Sequence, residues 1–303
     1  MEKSFESVRL TQMKVPVFFT FIVACTVILF VIPFQLILTL PPGKGNGVPP
    51  TPAPCRVCPV EQPKKGKYSD CKFVYLDVGT NIGVQIRKLF EPSRYPMAPV
   101  APIFDDFFGA DRKSLALSQS LCAIGIEMNP SHSARLSELQ RHYTQDCGYM
   151  VDIMTETAAS TFNGKIDFWT DGDMQHEEWG ASVIFPTRPE LQKPPQTVSA
   201  LDLAAFIITE LAPYSKKIVM KLDVEGAERD LVPRLIMSGA LCHLDIVFME
   251  EHMGHFTESQ KNIFLQGKAL FPDFARVAGC KVQLSMLDDE SFLHDADPTM
   301  NTC

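Results

Sequence analysis

Lys72-Phe73-Val74-Tyr75-Leu76-Asp77-Val78-Gly79-Thr80-Asn81-Ile82-Gly83 is the stretch that decides how this chain is read. Phe73 to Leu76 is apolar, rich in β-formers and bounded by polar residues, which predicts a buried strand. Asp77 ends it, two glycines follow four residues apart, and Ile82 to Phe90 has helical spacing. Strand, glycine-rich turn and helix, in that order, make the opening unit of a nucleotide-binding α/β fold. In such a unit glycine lets the backbone approach a ligand, and the helix start offers free N–H groups. Glycine also closes ordinary βα turns, so this stretch alone leaves both readings open.

Working outward, Ile218-Val219-Met220-Lys221-Leu222-Asp223-Val224-Glu225-Gly226-Ala227-Glu228 predicts another buried strand that ends in acids before a glycine and a helix. Further short motifs fall between and beyond the two: Gly125 to Pro130, Ala158-Ala159, Gly180-Ala181-Ser182, Val198 to Asp202, and Phe248-Met249-Glu250-Glu251-His252. Taken together and in this order, residues 71 to about 290 resemble the FkbM-type family of S-adenosylmethionine-dependent methyltransferases. Several motifs in sequence are far more specific than any one. The resemblance implies a Rossmann-like class I methyltransferase sheet with flanking helices, S-adenosyl-L-methionine as cofactor, and methyl transfer to an acceptor oxygen.

Candidate site residues follow from both sources. The resemblance implies that the turn carrying Asp77, Gly79, Thr80, Asn81 and Gly83 packs against the methionine part of the cofactor. Thr80 and Asn81 also suit simple closure of a turn by their side chains. Cys122 to Glu127 predicts the second strand, and a carboxylate at its end can accept both ribose hydroxyls. In dinucleotide-binding folds that acid lies about 20 residues past the glycines; here it comes later, which weighs against NAD. Asp152, on a third strand from Gly148 to Ile153, is a candidate partner for the adenine amine, and the resemblance puts Thr155 to Ala159 beside the ring.

Alternation sends Lys221, Asp223 and Glu225 to one side while the extended conformation lasts. Two buried carboxylates this close raise one another's pKa, which makes Asp223 and Glu225 candidate general bases. His252 is the candidate base by its ordinary pKa, at the end of a strand from Leu244 to Met249. Glu228 reads as an acid complementing a helix dipole. No metal is assigned: Asp171, Asp173, His176, Glu177 and Glu178 suit a solvated loop, and metal assistance through Asp223, Glu250 and His252 stays open.

Four further elements are expected. Residues 91–120 exceed the 2–6 residues usual for such a connection, so they form an insertion, either a lid displaying Phe104, Phe107 and Phe108 or a helix packed on the domain. Gly164 to Trp169 predicts an additional strand, and Ser199 begins a helix. Phe274–Val277 and Lys281–Leu287 are expected to pair antiparallel, and residues 291–303 read as a tail.

Residues 15–40 contain no charge and are dominated by Val, Ile, Leu and Phe, long enough to span a hydrocarbon core of about 30 Å. A cleaved signal peptide would be shorter and end at a small-x-small site, so an uncleaved transmembrane signal anchor is the expectation. Lys3, Arg9 and Lys14 precede the span and keep the N-terminal tail, residues 1–14, cytoplasmic. Residues 41–68 are rich in Pro and Gly and read as a stem, leaving residues 69–290 as the methyltransferase domain in the lumen of the secretory pathway (Golgi or endoplasmic reticulum). Eight of the nine cysteines lie beyond the span, which permits disulfides in an oxidising lumen; Cys58 and Cys71 are expected to tether stem to domain. A net charge of −8 with no concentrated basic face excludes a nucleic-acid partner. The expected activity is a membrane-anchored O-methyltransferase acting on a hydroxyl-bearing substrate, a glycan before a lipid or small molecule. The alternative is a catalytically inert domain that binds the cofactor or serves as an adaptor at the membrane.

Overall fold

The computed structural model describes residues 65–303 apart from 171, 173–177, 179, 185–193, 286, 288, 293–294 and 296–302. The anchor, nearly all of the stem, Cys58 and most of the acidic loop from Asp171 therefore lie outside the described residues. Among those described, no helix is long and apolar enough to cross a membrane.

Six strands form a parallel sheet in the order β3 (Met150–Met154), β2 (Leu121–Ile126), β1 (Phe73–Val78), β7 (Lys217–Leu222), β8 (Ile246–Met249) and β9 (Gln283–Ser285). Parallel strands covered on both faces must be apolar throughout, and successive residues of β1 divide accordingly. Val74, Leu76 and Val78 pack with the helices α5 (Leu203–Phe206), α6 (Glu228–Ser238) and α7 (Glu258–Ala278). Tyr75 faces the opposite layer, built by α1 (Val84–Phe90), α2 (Ala101–Phe108), α3 (Arg112–Leu117) and α4 (Ser133–Arg141). The chain steps from β1 outward to β2 and β3, then returns to add β7 on the other side of β1. Order reverses between β1 and β7, and ligands bind in open α/β sheets at the carboxyl ends of strands flanking such a point. The molecule is thus a Rossmann-like α/β fold.

A second, smaller sheet follows β3: β4 (Thr157–Ser160), β6 (Gln196–Asp202) and β5 (Gly164–Phe168), with β6 in the middle. The helix expected from Ser199 is therefore corrected. Ser199 is extended and pairs with Thr157 and Lys165, and the helix starts at Leu203 with the Asp202 side chain accepting from Ala205 N. The expected antiparallel ending is corrected too. Phe274–Val277 belongs to α7, started by a reciprocal cap between Thr257 and Gln260, and β9 pairs parallel with β8. The insertion is packed rather than displayed: Phe104 and Phe108 are buried, and the Phe104 ring meets Tyr75 edge-on at 4.9 Å.

Cys71 does not tether the stem; it is bonded to Cys122, joining the starts of β1 and β2. Cys242–Cys280 and Cys147–Cys303 are also bonded. The expected tail is partly tied down. Arg94 and Tyr95 bind the Asp295 carboxylate, and Arg135 donates to its carbonyl. Asp289 is buried against α1, accepting from Gln85 and Lys88, and its carboxylate also takes Val100 N.

Candidate functional site

The turn after β1 is fixed by its neighbours. Gly79 has φ +84°, and a Cβ there would sit 1.7 Å from the Asp223 carbonyl oxygen. Only glycine fits both the left-handed backbone and that approach. Gly79 N and Thr80 N donate to Ile126 O, and Thr80 Oγ1 donates to Asp77 O at 2.8 Å. Thr80 is buried by this closure and does not reach the cleft beyond. Asn81, also left-handed at φ +53°, turns its backbone N–H onto Glu127 Oε2 at 2.7 Å. Its side chain lines the cleft with a buried Oδ1 that has no hydrogen-bond partner.

The cleft lies at the carboxyl ends of β1, β2, β7 and β8. Of the residues singled out from sequence, Gly79, Asn81, Glu127, Asp223 and Glu225 line it. Four others do not. Asp77 is fully buried beneath the turn, and burial pushes its carboxyl up to about 7 although Lys221 pulls the other way. Gly83 serves helix packing, since a Cβ there would lie 2.4 Å from Leu139. Asp152 is consumed by Lys67 Nζ at 2.6 Å and Tyr68 OH at 2.5 Å. Thr80 is the fourth.

Glu127 forms one wall. Its two oxygens accept the backbone N–H groups of Asn81 and Asn129, each at 2.7 Å. Each oxygen retains a second lone pair, so the carboxylate can still receive two donors from the cleft.

The opposite wall is made of charges that answer one another. Lys221 Nζ lies 2.5 Å from Asp223 Oδ2. His252 turns Nδ1 to Glu228 at 3.0 Å, and its Nε2 stands 3.2 Å from Glu250, 3.4 Å from Glu225 and 3.8 Å from Asp223. Glu228 is fully buried and also accepts Val224 N and Gly226 N, closing the turn that carries Glu225. Glu225 sits at φ +50°, and its carbonyl accepts from Ser182 Oγ at 2.7 Å. A non-glycine residue held there is strained.

These contacts correct two expectations. Burial would raise the Asp223 carboxyl, but Lys221 and His252 outweigh it and hold the pKa below the ordinary value, so Asp223 is not the raised carboxyl that the sequence suggests. Burial disfavours charge on His252, yet hydrogen bonds to Glu225, Glu228 and Glu250 win and hold its pKa well above the ordinary value. The ring is an imidazolium at neutral pH and has no lone pair for use as a base. The donor atoms of Asp223, Glu225 and His252 fall within 4.8 Å of one another, a set that suits a divalent ion only where the ring gives up its proton.

Sequence reading missed Lys221, Glu228, Gln85, His132, Glu178, Asp289 and Glu290 as parts of this site or its support. Lys221 shares the alternation of Asp223, a signal already in the sequence. Asp289 carries none, because a loop far along the chain brings it back to α1. When the chain is compared with protein-family models, curated proteins and solved structures, none matches.

Proposed function

We propose that the chain is an S-adenosylmethionine-dependent O-methyltransferase, of the FkbM type its motifs resemble, held at a secretory-pathway membrane by residues 15–40. The observation that carries this reading is the cleft at the switch point between β1 and β7, with an amide-held carboxylate on one wall and a charged cluster on the other. The residues present fit the cofactor. Asn81 Oδ1 is an unused buried acceptor suited to an amino group, and Glu127 keeps lone pairs suited to ribose hydroxyls. When bound, S-adenosylmethionine supplies an electrophilic methyl group. The chain's own task is to hold an acceptor hydroxyl near Asp223, Glu225 and Glu250 and to take its proton. Glu250 or Glu225 is the base, because His252 already holds its proton and acts by fixing those carboxylates. A hydroxyl on a lumenal glycan is the preferred acceptor, since the anchor and charge bias favour a lumenal domain.

Two measurements test this. Binding of S-adenosylmethionine by the purified protein comes first, then transfer of labelled methyl to fractionated glycans, lipids and metabolites. No binding sinks the proposal entirely. Binding without transfer to any fraction supports the second reading, an inert cofactor-binding module, which the mutual compensation of charge around His252 favours. Protease digestion of residues 69–303 in intact microsomes would overturn the lumenal assignment.

A further inference from the structure

The three disulfides among the described residues stand in different surroundings. Cys71–Cys122 is buried, with the two residues 1% and 0% exposed. Cys147–Cys303 joins a nearly buried cysteine to an exposed one, the last residue of the chain. Beside it, His142 Nε2 lies 3.5 Å from Cys147 Sγ, and Asp146 Oδ2 lies 3.1 Å from His142 Nδ1. Residues His142–Asp146 form a π-helical turn, and Cys147 N donates to His142 O at 3.1 Å. The wide turn brings the imidazole of residue 142 back over the sulfur of residue 147. Arg141 holds the Asp146 carboxylate from outside. Both cysteines line a second cleft with Phe90, Arg112, Lys113 and Tyr149, which shares no lining residue with the candidate site.

We propose that Cys147–Cys303 is a redox-active disulfide that exchanges with external thiols, with His142 and Asp146 as the groups that activate it. An incoming thiolate attacks the exposed Cys303 sulfur. A new S–S bond forms there, the Cys147–Cys303 bond breaks, and its electron pair leaves on Cys147 as a thiolate. His142 Nε2 is placed to hand a proton to that thiolate, while Asp146 on the Nδ1 side fixes the ring. A neighbouring cation lowers a thiol's pKa, and a lower leaving-group pKa speeds exchange. A second thiolate then resolves the mixed disulfide on Cys303, so the two electrons come from a dithiol or two monothiols oxidised to their disulfide. Lys113 in the adjoining cleft favours approach of the thiolate. Exchange releases the last residue of the chain from Cys147, leaving the other two bridges intact.

The test exposes the full-length oxidised protein to dithiothreitol for graded times. Acid quenching, alkylation and quantification of each cysteine peptide by mass spectrometry then give the opening rate of each pair. Cys147 and Cys303 should be labelled at least about tenfold faster than Cys71 and Cys122, following the dependence of exchange on access and leaving group. Exposure alone would give that order, so the deciding arm is His142→Ala. It should slow opening of Cys147–Cys303 about tenfold and leave the other pairs unchanged, in a protein whose thermal melt matches wild type. Opening of Cys147–Cys303 together with or after the buried pair overturns the proposal. An unchanged or faster rate in both His142→Ala and His142→Asn overturns it as well.

Discussion

The two walls of the switch-point cleft both carry carboxylates, but they are stabilised in opposite ways. Glu127 is met at hydrogen-bond distance by two backbone N–H groups, with His132 Nδ1 farther off at 3.6 Å, so its charge is held mainly by amides and remains available to a ligand. Asp223, Glu225, Glu228 and Glu250 are met by Lys221 and His252, so about half of their charge is balanced inside the protein. An amide-held carboxylate is suited to binding. A carboxylate crowded by other carboxylates is suited to taking a proton, because the neighbouring negative charge favours its protonated form.

The sharpest way to break this contrast is turnover. Glu250→Gln should cut methyl transfer by about 10²–10⁴-fold, the usual range for a general base, while cofactor affinity stays within about twofold. The rising limb of the pH–rate profile should persist in His252→Ala; a limb near neutrality that vanishes in that variant would return the base role to His252. Next in size is Glu228→Ala, which strips a buried carboxylate from His252 and from two backbone N–H groups. Breaking a buried charge pair costs about 3–5 kcal/mol, measurable by urea unfolding, and a loss under 1 kcal/mol would mean the turn is held by something else.

Asp77 lies between the walls and makes the third prediction. Its folded pKa, about 7, is raised from 3.8, so between those values the folded state binds the extra proton. Stability is therefore full below pH 3.8 and falls as pH rises towards 7, by on the order of 4 kcal/mol. Asp77→Asn cannot ionise, so its stability relative to wild type should improve from pH 5 to pH 8. Equal differences at both values would contradict the burial argument. The smallest expected effect is on the quiet wall: Glu127→Ala should weaken S-adenosylmethionine binding by about 1.5–3 kcal/mol, or roughly 10- to 150-fold. A folded Glu127→Ala protein with normal affinity would remove the distinction between the walls.

What could be read beforehand was whatever depends on neighbours along the chain. The apolar runs of β1, β2 and β7 and the glycine at position 79 announced a nucleotide-type sheet, and Asp223 and His252 could be placed at adjoining strand ends. Contacts from distant parts of the chain were not legible. Leu201, Leu203 and Phe206 have helical spacing, yet residues 196–202 are extended because β4 and β5 claim their backbone hydrogen bonds. Phe274 to Val277 looks like a strand in isolation, but Phe264, Phe271 and Ala275 bury along one side of a longer helix. Glu228 showed itself only as an acid at a helix start, although its weight comes from folding back on residues 224, 226 and 252. Charge state was equally hidden, since His252 becomes a fixed cation only when three strand-end carboxylates surround it.

The attachment of Asp289 to Gln85 and Lys88 also bears on the order of assembly during synthesis. Residues 289 and 290 complete the rim of a cleft whose floor is laid down by residues 79–81, more than two hundred positions earlier. A ribosome-bound chain that has emerged only as far as β9 holds all nine strands and an open-sided cleft. The rim of that cleft is therefore complete only once residues 289 and 290 have been made and have docked on α1.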